Sequence, residues 1–354
     1  MNKLIIITSE LNREIISQEE NILSTNKPFT RHNSIIKLLS TMKESNIVTL
    51  NSTIDEIETK IKNMECVDSN YLDFLKNAYK SYLENGCPSD NKSPYDDGLV
   101  AYCFPKNNKP YNNLPHYLQC GIYGNDFCTS IFGHTYETAL RSAENGIIAA
   151  DYCQENDTII YCANILPGHH ATDSTYSGYC FLNNAAICAK KLLETNQKIA
   201  ILDLDFHHGD GTQKIFYEND NVLTISLHAN PTNSYPFYSG YENEFGEKNG
   251  LGYNLNYPLE KNTNIEKYLS VLGDAMDKIN KFCPDVLIIP FGADTYELDP
   301  QGSFKIELPD YTDIGELIKR KFKNKIIITQ EGGYFLDLVD AIVYNFIRGM
   351  MYRK

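Results

Sequence analysis

The sequence predicts an α/β protein: a central parallel sheet with helices packed on both faces. Three observations point there. Short apolar runs rich in Ile, Leu and Val recur along the 354 residues, helical patterns lie between them, and titratable residues gather directly after the runs. A strand buried on both faces reads as a continuous apolar run. Parallel neighbours also need a long crossover, which a helix supplies.

The first run, LIIIT at 4–8, is too short for a signal segment or a membrane span and reads as the first strand. Two helical patterns come next, HNSIIKLLSTM (32–42) and YLDFLKNAYKSYL (71–83). Residues 86–133 differ from the rest, being rich in Asn, Pro, Gly, Tyr and Cys with weak periodicity. A loop of that length in a compact domain is either functional or disordered, and its aromatics predict an ordered wall rather than a linker. A helix at 136–152 precedes the strand TIIYCAN (158–164), and a helix at 183–194 precedes KIAILDL (198–204). VLTISL (222–227), a helix at 264–282 and DVLIIP (285–290) follow. A helix at 310–322, the strand KIIITQ (325–330) and a helix at 336–350 complete the pattern. There is no repeat, low-complexity tract or composition break, so 1–354 reads as one domain with a long active-site loop at about 86–133.

A formal net charge of −14 argues against a nucleic-acid backbone as partner and suits a cationic ligand, although acidic residues also serve solubility. Ten cysteines without a CxxC pair predict reduced thiols in a cytoplasm. No segment approaches the length of a membrane span.

In an open parallel sheet, ligands bind beyond the carboxyl ends of the strands. The segments there are LPGHHATD, DFHHGDG, HANPTNSYPFYSG, FGADTYELDPQG and EGGYF. Asp205 and His207 are two apart, so on extended backbone both point the same way, and Asp294 follows another strand. Two carboxylates and one imidazole make a zinc site with a position left open, and Fe(II), Co(II) or Mn(II) fit the same donors. The competing reading is a plain network of strand-end carboxylates bonded to helix N-termini. His169 and His170 sit together in a Gly-flanked loop, and each needs an orienting partner. Asp203 and Asp210 remain once Asp205 is assigned to the metal, which suggests two His–Asp dyads facing one water. Tyr334, after two glycines, could donate to a carbonyl oxygen that becomes an oxyanion, or could be a core tyrosine at a helix start.

PGHHA, GYCFLNNAA, ILDLDFHHGDGTQ, SLHANP, GADTYELDPQGSF and EGGY together resemble the zinc-dependent histone deacetylase superfamily, from about residue 115 to the end. DVLIIPFGADTYELDP, FKIELPDY and FYENDNVLTISLH look like its bacterial acetylpolyamine amidohydrolase branch. The resemblance implies an arginase-like fold with about eight parallel strands. It implies zinc on Asp205, His207 and Asp294, His169 paired with Asp203, and His170 paired with Asp210. It gives Tyr334 the carbonyl-polarising role and assigns the walls of an acyl-amine tunnel to Gly178, Tyr179 and Tyr235. It also implies a structural potassium ion held by Asp203, Asp205, His207, Ser226 and Leu227, and a homodimer that narrows the active site. Ser177 stands where a glycine is expected, and Gln301 stands where some polyamine-selective relatives carry a glutamate. Asp96, Asp97 and Asp126 are the loop's candidate acidic substrate ligands. The expected activity is hydrolysis of the acetyl amide of small cationic amines, with His170 as general base and His169 assisting the leaving amine. The alternatives are an acetyl-lysine deacetylase of proteins and a catalytically silent acyl-amine-binding or scaffold protein.

Overall fold

The computed structural model describes residues 3–9, 27–106, 114–153, 158–195 and 197–352. Its strands are β1 (Lys3–Ser9), β2 (Ser45–Leu50), β3 (Thr158–Cys162), β4 (Ile199–Asp203), β5 (Val222–Ala229), β6 (Asn254–Leu259), β7 (Val286–Phe291) and β8 (Lys325–Gln330). They form one eight-stranded sheet in the order β2-β1-β3-β8-β7-β4-β5-β6. Every neighbouring pair is parallel. The six strands expected from apolar runs are all present. The other two, β2 and β6, lie at the sheet's edges and are only partly buried. Half-exposed strands carry no continuous apolar run, and Pro258 in β6 sits where an edge strand tolerates it.

The helices longer than one turn are α1 (Pro28–Leu39), α2 (Ile54–Asn63), α3 (Ser69–Glu84), α4 (Thr135–Tyr152), α5 (Asn184–Leu193), α6 (Asp210–Phe216), α7 (Ile265–Phe282), α8 (Asp310–Lys321) and α9 (Val339–Met351). Several begin where side chains satisfy the free N–H groups of the first turn. Thr53 and Glu56 form a reciprocal capping box on α2, and Asp68, Asn183 and Asn264 accept first-turn N–H groups on α3, α5 and α7. Pro28, which has no N–H to leave unbonded, opens α1.

One face of the sheet packs Leu202, Ile289 and Ile328 against α7, α8 and α9. The other packs Ile160, Ile201 and Ile288 against α4 and α5. A third cluster joins α2, α3 and α4 to the long loop through Phe74, Leu99, Ile131 and Tyr176. Leu99 and Ile131 exchange backbone hydrogen bonds of 2.9 and 2.8 Å, so the expected wall is ordered there. Residues 107–113 of that loop lie outside the described residues. Cys162, Cys180 and Cys188 are fully buried, as their apolar surroundings predict.

Candidate active site

Strands β3, β8, β7 and β4 are consecutive in the sheet, so their carboxyl-end loops lie side by side. Those loops carry His169 and His170, Tyr334, Asp294, and the segment from Asp205 to Asp210. Residues up to 165 positions apart in the chain therefore share one floor.

Donor atoms of Asp205, His207 and Asp294 all lie within 4.8 Å of one another. His207 Nδ1 is 3.3 Å from Asp205 Oδ1 and 3.1 Å from Asp294 Oδ2. The second oxygen of each carboxylate is fixed by backbone: Gly332 N–H donates to Asp205 Oδ2 at 2.8 Å and Phe206 N–H donates to Asp294 Oδ1 at 3.0 Å. Glycines give the carboxylates room. A Cβ on Gly292 would stand 2.1 Å from Asp205 Oδ2, and one on Gly332 would stand 2.5 Å from Asp294 Oδ2. Burial and the charge of Asp205 push Asp294 up to about 7. Burial opposes a charge on His207, yet the two carboxylates raise it to about 9. Two buried carboxylates repel unless positive charge lies between them, and an O,N,O donor set of this kind fits a divalent cation. Zinc, iron(II), cobalt(II) and manganese(II) all accept these donors.

His169 Nδ1 lies 3.0 Å from Asp203 Oδ2, and His170 Nδ1 lies 2.6 Å from Asp210 Oδ1. Both expected dyads are thus formed. Burial opposes a charge on His169, but Asp205 and Asp203 hold its pKa well above the ordinary imidazole value. Burial and the charge of His169 push His170 down to about 4, against the pull of Asp210.

Each residue of Glu331–Tyr334 has a separate task. Glu331, fully buried, accepts from Gly168 N–H at 2.5 Å and His169 N–H at 3.1 Å. Gly332 holds Asp205. Gly333 has φ +129°, a conformation that favours glycine, and this turns the next residue toward the pocket. Tyr334 lines the floor with its ring 6.0 Å from that of Tyr179. Asp299 accepts from the backbone of Tyr334 and Phe335 at 2.7 and 3.0 Å.

The floor opens into a pocket of about 750 Å³. Gly178, Tyr179 and Tyr235 line it as expected. A Cβ on Gly178 would stand 2.2 Å from His170 Cδ2, so only glycine fits beside that ring. Tyr235 packs edge-on against His170, with centroids 4.9 Å apart. Its hydroxyl donates to Asp126 Oδ2 at 3.2 Å, and the same oxygen accepts from Gly178 N–H at 2.7 Å. Of the three candidate loop acids, Asp126 therefore ties two walls together. Asp96 instead accepts from Gly98 N–H within its own turn, and Asp97 pairs with Lys92 on the surface. Ser226 lies opposite Asp203 in the β4–β5 register, with Leu227 buried beside it. Among the described residues lining the pocket, the carboxylates are Asp126 and Asp210, and both are engaged. The mouth is aromatic, with Phe104, Phe127, Phe237 and Tyr238 all exposed. The sequence reading missed Asp126's bracing role, Asp299 and Glu331, because their partners lie far away in the chain.

Two buried His–Asp pairs beside an O,N,O donor cluster, in the loops of a parallel sheet, are the groups a metal-dependent hydrolase requires. The model of the histone deacetylase domain matches residues 28–350. The chain belongs to the histone deacetylase family and is an amide hydrolase of the deacetylase type. It is 36% identical over 286 residues to acetylpolyamine amidohydrolase 1 of Pseudomonas aeruginosa, covering 80% of each chain. It is 35% identical over 285 residues to the acetylpolyamine amidohydrolase of Mycoplana ramosa, covering 80% of this chain and 81% of that one. The crystal structure of an acetylpolyamine aminohydrolase from Burkholderia pseudomallei superposes with a TM-score of 0.83 at 27% identity, over 98% of both chains. Such neighbours share the arginase-like fold expected from the motifs. No helix among the described residues is long and apolar enough to cross a membrane.

Proposed function

We propose that this protein hydrolyses the acetyl amide of small cationic amines, acetylpolyamines first among them, with a divalent cation on Asp205, His207 and Asp294. The observation that carries this reading is the meeting of that triad, two His–Asp dyads and Tyr334 on the floor of one aromatic-walled pocket. Zinc is the proposed cation. Held there, it would supply Lewis-acid polarisation of a carbonyl and would acidify water.

The chain's own groups do the rest. Asp210 accepts from His170 Nδ1, which leaves Nε2 unprotonated and able to take a proton from water. Asp203 orients His169, whose retained proton serves the leaving amine. Burial and the nearby Asp294 keep the Tyr334 phenol protonated, so it donates to the substrate oxygen as charge develops there. Asp203 and Ser226 stand opposite each other, and together with Asp205, His207 and Leu227 they are the residues proposed to hold a structural potassium ion.

The named relatives and a net charge of −14 support the cationic substrate class. One eight-stranded sheet and a family match across 28–350 support a single catalytic domain. Ten free cysteines support a cytoplasmic location, and the net charge of −14 argues against a nucleic-acid partner. The exposed aromatics at the mouth support a homodimer covering that rim. The test is a side-by-side deacetylation screen of N-acetylputrescine, N-acetylspermidine and an acetyl-lysine peptide. Higher kcat/KM on an acetylpolyamine is expected. A higher value on the peptide reassigns the enzyme to protein substrates, and no turnover of any of them leaves a silent binding or scaffold protein.

A further inference from the structure

The loop from Ile165 to Ala171 carries both histidines, yet it is neither helix nor strand, so its backbone groups need partners from outside. Side chains provide most of them. Ser142 Oγ accepts from Ile165 N–H at 3.2 Å and Leu166 N–H at 3.1 Å. Pro167 has no N–H. Asn184 donates to Leu166 O, and Asn183 donates to Ala171 O. The middle of the loop, where the histidines begin, rests on Glu331.

We propose that Glu331 is the positioning residue of the tandem histidines: one carboxylate oxygen receives the N–H groups of Gly168 and His169 and fixes where both imidazoles stand. The carboxylate is completely buried and does not line the pocket. Its other oxygen accepts from Thr329 Oγ1 at 3.1 Å, which sets the rotamer. Glu331 N–H in turn donates to Phe291 O at 2.9 Å, so the anchor is part of the rigid sheet end between β7 and β8. Gly168 has no room for a side chain either, since a Cβ would meet Asn184 N at 2.5 Å. The loop is therefore clamped between α5 and Glu331 and cannot re-seat itself if the carboxylate is removed. Burial pushes the Glu331 carboxyl up to about 7, against the pull of His169 and of the Gly168 N–H.

The inference rests on the proposed hydrolytic role of His169 and His170, but its test does not depend on activity alone. Glutamine keeps an oxygen within reach of both N–H groups while its amide turns to the Thr329 hydroxyl. Aspartate keeps the charge but withdraws it by one methylene. Glu331→Ala and Glu331→Asp should lower kcat on the order of 100-fold, the penalty of a misplaced catalytic group. KM should change by less than about threefold, because binding groups are untouched. Glu331→Gln should recover most of the loss. Hydrogen–deuterium exchange in the peptide spanning residues 165–172 should quicken in the Ala and Asp variants and stay slow in Gln. Failure of the wild type on every acetylated amine would sink the hydrolytic reading while the exchange experiment still decides the anchor. The anchor is overturned if Asp works and Gln does not, because charge rather than reach would then matter. It is equally overturned if exchange in that peptide is the same in all four proteins.

Discussion

Replacing Tyr334 by Phe removes one hydroxyl from the pocket floor and leaves the ring packed against Tyr179. Loss of one oxyanion donor costs roughly 100- to 1,000-fold in turnover. The hydrogen bond strengthens as charge develops, so KM should move far less than kcat. Steady-state kinetics of Y334F check this, and near-wild-type turnover would return Tyr334 to a packing role. A second single-atom argument concerns Gly178. Its φ is +53°, and an added methyl would collide with the His170 ring. Gly178→Ala should therefore displace the proposed base and abolish most activity while the protein stays folded. Kinetics and a melting curve run together separate those two effects.

At the scale of elements, α1 is seated on the sheet by a buried histidine. His32 Nε2 lies 3.2 Å from Thr8 Oγ1 of β1, and burial pushes its pKa from 6.5 down to about 4. Between those values the unfolded chain binds the proton that the folded protein refuses. The stabilisation is complete above pH 6.5 and is lost as pH falls toward 4. Denaturant unfolding across that window should show stability falling with acidity, and His32→Asn should flatten the slope. An unchanged slope in the variant would mean that other groups carry the acid sensitivity. The missed strands belong to this scale as well. Edge strands such as β2 keep residues facing solvent, so their sequence mixes polar and apolar residues without clean alternation.

For the whole molecule, two properties act together: the proposed cation site at the sheet's centre and an excess of negative charge, −14 in all. With the proposed cation removed by a chelator, Asp205 and Asp294 would be left to repel one another. Activity and Tm should fall together, and added zinc should restore both. A ligand at about 1,000 times its Kd stabilises by roughly 4 kcal/mol, enough to be read in a melt. Asp294→Ala should lower zinc content and activity alike, whereas full occupancy in that variant would place the cation elsewhere. The net charge of −14 attracts polyamines at long range. KM for N-acetylspermidine should therefore rise with ionic strength, while KM for an uncharged N-alkylacetamide should not. Equal salt dependence for both would remove the surface field from substrate selection.

Much of the site was legible in the sequence, because chemistry restricts which residues can stand at a buried strand end. Asp203, Asp205, His207, Asp210, Asp294 and the histidine pair stood out by type, by spacing and by the apolar runs before them, whereas Tyr334 stood out only through the resemblance to the deacetylase family. Six strands were legible for the same reason, since full burial leaves a continuous apolar signature. Strand order was not legible from those runs. Periodicity shows that a segment is a strand and says nothing about its neighbours. Only the tertiary structure sets β3, β8, β7 and β4 side by side and so brings four loops into one pocket. The roles of Asp126, Asp299 and Glu331 were decided there too. Their partners are backbone N–H groups, which every non-proline residue possesses, so only position in space distinguishes the ones that these carboxylates hold.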